Sequence, residues 1–318
     1  MLENQGKKLA EKDTKPGGTL KTLIELCRPF TMLAPAVGVM AGAFIAAEGG
    51  LPKTLTLVAA LVGGLLNAAS NAVNQITDLD IDRVNKPKRP IPSGRISVNT
   101  AAAIGAILYF ICFVVAYFAV GWAFFLVILV GAAFSWAYSI PPVRTKNNPI
   151  LANPTMAFPR GVLLIVAGYA AQLELTGKLD AFWTNPAAAA PWAAGAIMFL
   201  FLLGGASTKD FADIAGDKAY GARTIPVVLG IKRASRFMAP FFVIPFLLIP
   251  LAIYVFHFLI PATLPLLALA LYGAFIAWLI LRDPDSLALE GNHPSWKHMY
   301  VLMMLTQIGF AAAYFFGA

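Results

Sequence analysis

The stretch Asn74-Gln-Ile-Thr-Asp78-Leu-Asp80-Ile-Asp82-Arg83 follows an apolar run that is long enough to cross a membrane. It holds three carboxylates and two carboxamides within nine residues. Charge this dense at the end of an apolar segment is costly unless it has a partner. Five basic residues follow at once: Arg83, Lys86, Lys88, Arg89 and Arg95.

The chain has a second stretch of the same kind, Lys209-Asp210-Phe-Ala-Asp213-Ile-Ala-Gly-Asp217-Lys218. It also ends an apolar run and also leads into basic residues. The two stretches lie 135 residues apart and together hold six of the sixteen acidic residues. Two similar clusters at the ends of two apolar runs indicate paired roles.

The composition is that of an integral membrane protein. Of 318 residues, 59% are hydrophobic and 13% are charged, whereas about a quarter of the residues in soluble domains are charged. The two cysteines, Cys27 and Cys112, provide neither a disulfide framework nor a metal-ligand spacing. The net charge of +8 could suggest nucleic acid, but no nucleic-acid module is found, and the charge distribution points to membrane topology.

Apolar runs recur at a length of about 20 residues, which suffices to cross a hydrocarbon core of about 30 Å. Residues 1–20, charged and rich in Lys and Gly, are predicted to form a mobile cytoplasmic tail. Residues 21–318 are predicted to form one transmembrane domain. The nine predicted spans lie near residues 29–48, 55–77, 98–119, 122–140, 152–172, 189–207, 236–256, 261–281 and 298–317.

The distribution of Lys and Arg predicts the orientation. With the N-terminus in the cytoplasm, the cytoplasmic segments hold 21 of the 24 basic residues. The opposite loops hold two, Lys53 and Lys178, and Arg160 lies within a span. Because basic residues concentrate in cytoplasmic loops, we expect the N-terminus and both acidic stretches to face the cytoplasm. Nine spans then leave the C-terminus outside.

The chain also looks weakly duplicated. Span two ends in the first acidic stretch, followed by Arg89-Pro-Ile-Pro-Ser-Gly94, and span six ends in the second, followed by Arg223-Thr-Ile-Pro226. Each acidic stretch therefore occupies the same place in a four-span unit. This predicts two pseudo-repeated halves, about residues 21–150 and 151–285, plus a ninth helix. The predicted fold class is an all-α membrane protein with nine transmembrane helices around a central cavity.

The spacing of the acidic side chains predicts that each cluster lies on one face of a helix. Stacked carboxylates repel one another, and a divalent cation removes that cost. Oxygen ligands with no Cys or His nearby favour Mg²⁺, which keeps few protein ligands and completes its shell with water and phosphate. Asp80 lies off this face and is interpreted as a solvated residue. The predicted metal ligands are Asn74, Asp78, Asp82, Asp210, Asp213 and Asp217.

Basic residues near the clusters are candidates for binding a diphosphate, because cations neutralise phosphate oxygens. Each of them could instead be a topology determinant that faces lipid headgroups. Arg160 differs from the others, because an arginine within a span usually faces a polar cavity. The candidates are Arg28, Lys88, Arg89, Arg144, Lys146, Arg160 and Arg223.

These motifs resemble those of a known family. The first stretch, continued through Asn85-Lys-Pro-Lys-Arg-Pro-Ile-Pro-Ser-Gly94, resembles the first signature of the UbiA-type intramembrane prenyltransferases, N-D-x-x-D-x-x-x-D. Asp213-Ile-Ala-Gly-Asp217 resembles the second, D-x-x-x-D. Nine spans, and Arg28-Pro-Phe-Thr31 at the first of them, extend the resemblance over nearly the whole chain.

The resemblance implies Mg²⁺-dependent transfer of an isoprenoid chain from a prenyl diphosphate to an acceptor, at an active site on the cytoplasmic side. It implies that Asp78, Asp82, Asp213 and Asp217 are catalytic. The family signature often has Asp where this chain has Gln75, and a Gln there resembles the homogentisate and chlorophyll branches. We therefore expect Gln75 to govern the choice of acceptor.

Several acceptors suit this scaffold. A lipid-quinone-type aromatic acceptor is favoured, with geranylgeranylglyceryl phosphate and a chlorophyllide as alternatives. The expected partners are prenyl diphosphate, a small aromatic or lipid acceptor and membrane lipid, with no nucleic acid. A secondary transporter is the alternative of another class, although its carboxylates would lie near the midplane rather than at helix ends. The sequence leaves prenyl chain length and oligomeric state open.

Overall fold

The computed structural model describes residues 19–289 and 293–318. Within them, nine helices are long and apolar enough to cross a membrane, which confirms the nine predicted spans. In chain order they are α1 Pro29–Ala47, α2 Thr56–Thr77, α3 Val98–Val120, α4 Trp122–Ser139, α5 Ala152–Leu175, α6 Pro186–Lys209, α7 Ile231–Tyr254, α8 Pro261–Arg282 and α9 Pro294–Gly317.

Three helices begin earlier than the apolar pattern predicted. The spans expected from residues 189, 236 and 298 begin at Pro186, Ile231 and Pro294. Proline fits the first turn of a helix, where its missing N–H has no partner to lose. The first two turns of α7 carry three basic residues, so the helix starts before the apolar run does. Those basic residues are Lys232, Arg233 and Arg236.

Shorter helices connect the spans, most of them at one end of the bundle. The predicted mobile tail lies outside the described residues except for its last two positions, Thr19 and Leu20, which begin a helix instead. This segment, Thr19–Cys27, is called the N-terminal helix below. The other short helices are Leu79–Asn85, Thr145–Asn147, Ala181–Thr184, Ile214–Ala219, Ile225–Leu229 and Pro284–Ala288.

The spans pack as a closed ring in the order α1, α2, α4, α5, α6, α7, α8, α9, and α3 packs outside against α2. Helices α1 and α5 also pack against each other across the ring. Their close approach requires glycine, because a methyl group on Gly42 would overlap the Ile165 carbonyl and one on Gly168 would overlap that of Val39. Small residues allow such contacts in lipid, where association depends on close packing.

The outer surface of the ring is apolar, with large side chains such as Phe110, Phe118 and Leu271 exposed. In a membrane these side chains contact lipid. Helices α2, α4, α6 and α8 end at one end of the bundle, where α1, α5, α7 and α9 begin. This end carries both acidic clusters, and we call it the acidic end.

Candidate active site

A cavity of about 480 Å³ lies inside the part of the ring formed by α1, α2, α4 and α5. Its volume is within the range of small-molecule sites, about 300–1,000 Å³. The interior is apolar, with side chains such as Leu66, Ile128 and Leu163. The wall at the acidic end is polar and basic. The polar side chains that line the cavity include Asn74, Arg28, Lys86, Arg89, Arg160 and Lys209.

The first acidic cluster lies where α2 ends. The α-helix stops at Thr77, Asp78 has a non-helical φ of −101°, and a short helix follows from Leu79. The predicted single helix face is therefore interrupted, but the register continues. Asp78 N donates to Asn74 O at 2.9 Å, and Asp82 N donates to Asp78 O at 2.7 Å. The side chains of Asn74 and Asp78 meet, with Nδ2 to Oδ2 at 2.8 Å.

The second acidic cluster lies where α6 ends in a tighter 3₁₀ turn, Ala206–Lys209. Asp213 N donates to Asp210 O at 3.2 Å, and Asp217 N donates to Asp213 O at 3.0 Å. The chain therefore turns at Asp213 before the short helix that carries Asp217. Asp210 and Asp217 are buried, so both clusters direct carboxylates into the protein rather than into solvent.

Asn85 and Lys86, which follow the first cluster, bind the second cluster directly. Asn85 Nδ2 donates to Asp213 O at 2.8 Å, and Gly216 N donates to Asn85 Oδ1 at 2.8 Å. Lys86 forms an ion pair with the Asp213 carboxylate. Gly216 is required here, because a methyl group on it would lie 2.6 Å from Asn85 Nδ2. The structure thus brings together two clusters that are 135 residues apart in sequence.

The carboxylates of the first cluster are paired with cations from two loops. Arg89 forms an ion pair with Asp82. Arg144 Nη2 lies 3.0 Å from Asp78 Oδ1, and Lys146 Nζ lies 2.6 Å from Asp78 Oδ2. Three of the predicted basic residues therefore meet the predicted acidic residues at the acidic end. Their role in binding diphosphate stays a prediction.

Arg28 lies between the N-terminal helix and α1, at a break in the helical path with φ of 53°. This left-handed conformation is unfavourable for a residue with a Cβ atom. Arg28 lines the cavity, and its buried Nη2 has no hydrogen-bond partner among the described residues. Burial and then the nearby Arg89 lower its pKa, but a guanidinium stays protonated at neutral pH.

Three carboxamides on α2, spaced four residues apart, hold this break in place. Gln75 Nε2 donates to Leu26 O at 2.8 Å, and Asn71 Nδ2 donates to Cys27 O at 3.1 Å. The third, Asn67, donates to the first turn of α1. Buried carbonyls at a chain break need donors, and these side chains supply them where the helix does not.

This arrangement corrects the expectation for Gln75. Its side chain is fully buried between α2 and the N-terminal helix, and it does not line the cavity. The residue after Asn74 lies about 100° further round the helix, so it faces the N-terminal helix rather than the site. We therefore assign Gln75 a structural contact in place of a contact with the acceptor.

Two predicted basic residues are not brought into the site. Lys88 and Arg223 are exposed and do not line the cavity. Lys88 lies in the turn before α3 and faces solvent. The next residue, Arg89, faces the site instead and pairs with Asp82. Arg223 follows the short helix of the second cluster, and its side chain is exposed between the buried Ala222 and Thr224. Asp80, as expected, is exposed and pairs with Arg83 at 2.7 Å.

Sequence reasoning missed several residues of the site. Asn85 and Lys86 lie in the basic stretch that follows the first acidic cluster. Their contacts with the second cluster depend on the fold. Lys209 lines the cavity beside Arg160 and was recognised only as a neighbour of Asp210. The carboxamides at positions 67, 71 and 75 carry a signal that could have been found, because polar residues at this spacing form one face of a helix.

Burial shifts the pKa values of the carboxylates in the second cluster. Burial and then the charge of Asp210 raise the pKa of Asp217 to about 7. Burial also raises the pKa of Asp210. At Asp213 burial acts in the same direction, but Lys86 outweighs it and the pKa falls. Burial therefore disfavours the charged forms of Asp210 and Asp217 more than the nearby lysines favour them.

The donor set fits Mg²⁺ that is bound together with an anionic ligand. No three side chains of His, Cys, Asp or Glu converge to hold an ion within residues 19–289 and 293–318. Mg²⁺ is usually held by one or two carboxylates, with water and phosphate completing its shell. Asn74 and Asp78 offer such a pair of oxygen donors on one side, and Asp213 and Asp217 offer a second on the other.

Comparison with known proteins shows where this architecture occurs. Residues 36–315 match the sequence profile of the UbiA prenyltransferase family. The digeranylgeranylglyceryl phosphate synthase of Thermococcus kodakarensis is 32% identical over 300 residues, which are 92% of this chain and 98% of that protein. Homogentisate phytyltransferase 1 of Arabidopsis thaliana is 31% identical over 223 residues, 68% of this chain and 56% of that protein.

A solved structure has the same fold. It is a UbiA homolog from Archaeoglobus fulgidus bound to DMAPP and Mg²⁺, with a TM-score of 0.66 at 20% sequence identity. The match covers 92% of this chain and 99% of the solved chain. At this identity the likeness concerns the fold alone.

The position of Gln75 leads to a testable prediction. In Gln75→Leu, the carbonyl of Leu26 loses its donor, which costs about 1 kcal/mol. The N-terminal helix should therefore detach more often, and the half-buried Cys27 at its end should react about fivefold faster with a thiol reagent. The fully buried Cys112 serves as an internal reference.

Gln172→Leu is the matched control, because Gln172 is a buried carboxamide that binds Lys53 N at 2.9 Å, far from the N-terminal helix. Its Cys27 labelling rate should equal that of the wild type. Wild-type labelling in Gln75→Leu would show that Gln75 does not hold this helix. A changed order of acceptors in a substrate panel would instead support its expected effect on the choice of acceptor.

Proposed function

The chain belongs to the UbiA prenyltransferase family, and we propose that it transfers an isoprenoid chain from a prenyl diphosphate to an anionic acceptor in a Mg²⁺-dependent reaction. The family makes it a membrane-bound transferase, which removes the transporter alternative. One observation carries the proposal further. Asn85 and Lys86 tie two acidic clusters together beside an apolar cavity that is lined at that end by cations.

The residues that would hold the metal are those whose oxygens converge at the acidic end. When bound there, Mg²⁺ offsets the negative charge that grows on the leaving diphosphate. The solved homolog, which is bound to DMAPP and Mg²⁺, agrees with this proposal. The candidate ligands are Asn74, Asp78, Asp82, Asp210, Asp213 and Asp217.

The cations at this end have a role in binding the diphosphate. Lys86, Arg89, Arg144 and Lys146 are paired with carboxylates in the structure. A bound diphosphate offers oxygens with more charge, and charge-assisted hydrogen bonds to them are strong. We propose that these side chains exchange part of their carboxylate contacts for phosphate oxygens, and that Arg28 adds its unpaired Nη2.

The cavity holds the isoprenoid chain and keeps water from the reacting carbon. The allylic carbon–oxygen bond breaks, and its electron pair leaves with the diphosphate. A carbon or hydroxyl oxygen of the acceptor forms the new bond to that allylic carbon, and the acceptor loses the proton it carried there. Fixed cations around the leaving group favour this charge separation because they need no reorganisation.

The acceptor is proposed from chemistry that the relatives share. The sequence motifs favoured an aromatic, lipid-quinone-type acceptor, which the match to homogentisate phytyltransferase supports. The match to digeranylgeranylglyceryl phosphate synthase covers more of both chains and supports a glycerol-phosphate ether lipid. Both kinds of acceptor carry an anionic group, and a panel that contains both decides between them.

The sidedness is also a proposal. Among the described residues outside the spans, every Lys and Arg except Lys53 and Lys178 lies at the acidic end, and such residues concentrate on the cytoplasmic side of a membrane. We therefore propose that the acidic end and the N-terminus face the cytoplasm and that the C-terminus lies outside.

The proposed role of the acidic clusters predicts a sharp difference between neighbouring aspartates. Asp78→Asn and Asp213→Asn should each lower prenyl transfer about a hundredfold or more, because removing one preorganised charge contact at a reaction centre has effects of this size. The measurement is Mg²⁺-dependent release of pyrophosphate from geranylgeranyl diphosphate with the acceptor panel.

Asp80→Asn is the matched control, because Asp80 lies between these ligands in sequence but is exposed and pairs with the exposed Arg83. It should keep the activity of the wild type. Full activity in Asp78→Asn, or equal losses in Asp78→Asn and Asp80→Asn, would contradict the assignment.

The proposed use of the cavity predicts an effect of Gly131, which lines it from α4. A methyl group on Gly131 would meet only Leu66 Cδ2, at 3.4 Å, so a larger side chain would extend into the cavity without a backbone clash. Gly131→Leu should lower kcat/KM for geranylgeranyl diphosphate about tenfold or more, since filling a packed apolar space is costly. Dimethylallyl diphosphate should be affected little.

Gly131→Ala, which adds little volume, is the control and should accept both donors. Equal losses with the long and the short donor in Gly131→Leu would mean that the chain does not occupy this part of the cavity.

A further inference from the structure

We infer that the anionic group of the acceptor binds between Arg160 and Lys209, against an aromatic wall formed by Phe30, Trp296 and Tyr300. This inference rests on the proposed function and assigns the acceptor to a part of the cavity that the donor diphosphate does not use. The chemistry that these residues recognise is a carboxylate or a phosphate carried on an apolar or aromatic body.

Arg160 is a cation in the cavity that forms no ion pair with a carboxylate of the described residues. It lies in α5 and lines the cavity. Its side-chain hydrogen bond within the described part of the chain is to Asn67 Oδ1, at the limiting distance of 3.5 Å. Asn67 is seven residues, or two helical turns, deeper in α2 than Asn74, which is about 10 Å. The Arg160 guanidinium therefore lies deeper in the cavity than the acidic clusters.

Lys209 is the second incompletely neutralised cation. Its Nζ lies 3.9 Å from Asp210 Oδ1 and 5.7 Å from the centre of the Tyr138 ring. A pair at this distance is weak compared with the Lys146 contact to Asp78 at 2.6 Å. One third of the Lys209 side chain is exposed, and it lines the cavity. Arg160 and Lys209 thus leave net positive charge beside an apolar space.

An aromatic wall faces these cations. The ring centroids of Phe30, Trp296 and Tyr300 lie 5.1–5.7 Å apart, and all three residues line the cavity. Behind this wall, between α5, α6 and α9, is a recess of about 20 Å³ that also borders Arg160 and Lys209. This recess has room for about one water molecule next to the two cations.

The donor diphosphate does not need these two cations. The four cations that pair with the acidic clusters lie at the acidic end itself, where the metal ligands are. An acceptor must approach the allylic carbon, which lies on the cavity side of the diphosphate. An anionic group on that acceptor then lies deeper than the donor phosphates, at the depth of Arg160. Charge-assisted hydrogen bonds from a fork-shaped guanidinium suit both a carboxylate and a phosphate.

Binding of the acceptor without donor tests this inference independently of turnover. Thermal stabilisation of the detergent-solubilised protein is measured with two anionic probes, geranylgeranylglyceryl phosphate and homogentisate. Each is compared with an uncharged counterpart, geranylgeranylglycerol and homogentisate methyl ester. We expect at least one anionic probe to stabilise the wild type, with about tenfold weaker binding for its uncharged counterpart. Which probe does so distinguishes phosphate from carboxylate.

In Arg160→Gln, the charged and the uncharged probe should bind about equally well. In Arg160→Lys, part of the preference for the charged probe should remain. The KM for prenyl diphosphate should stay within about twofold of the wild type. Lys209→Gln is a second variant on the same site, with the same expected direction, should Arg160→Gln fail to fold. Arg236→Gln, an exposed arginine at the acidic end of α7, is the matched control.

Undiminished discrimination in Arg160→Gln, a rise in donor KM in place of acceptor binding, or no stabilisation of the wild type by either anion would overturn the inference. A wild type that binds an anionic probe through Arg160 but releases no pyrophosphate with it would overturn the proposed function and leave the acceptor site standing.

Discussion

Buried negative charge at one end of the bundle is the constraint on which the rest of the structure depends. Carboxylates that leave water must be paired, because an unpaired buried charge costs several kcal/mol. The partners come from separate segments: Lys86 and Arg89 follow α2, whereas Arg144 and Lys146 follow α4. Neutralising the acidic clusters therefore draws the loops of the acidic end together over the cavity.

This neutralisation is incomplete in a way that suits a ligand. The first cluster has cations in contact with Asp78 and Asp82, whereas burial raises the pKa values of Asp210 and Asp217. Among the described residues, Arg28 and Arg160 form no ion pair with a carboxylate, and the Lys209 pair with Asp210 is long, at 3.9 Å. Buried carboxylates and weakly paired cations therefore lie around the same cavity. A metal ion bound with a diphosphate, together with an anionic acceptor, satisfies both.

Much of this could be predicted from sequence, because the signals are local. The nine spans follow from apolar runs, and the acidic clusters follow from spacing along a helix. Contacts between distant segments could not be predicted in this way. That Lys86 reaches Asp213, or that Gln75 faces the N-terminal helix, depends on how segments cross in space. Lys88 and Arg223 were candidates for the same reason as Arg89, since the charge of a side chain in a loop does not reveal its direction.

The central claim is that the two acidic clusters bind one metal–diphosphate group between them. The most direct measurement is a crystal structure with Mn²⁺ and an unreactive thio analogue of geranylgeranyl diphosphate, with the metal located by anomalous scattering. We expect metal peaks about 2.1 Å from oxygens of Asp78 or Asp82 and of Asp213 or Asp217, with the diphosphate between them. Metal and diphosphate bound away from both clusters, for example beside Lys88 and Arg223, would contradict it.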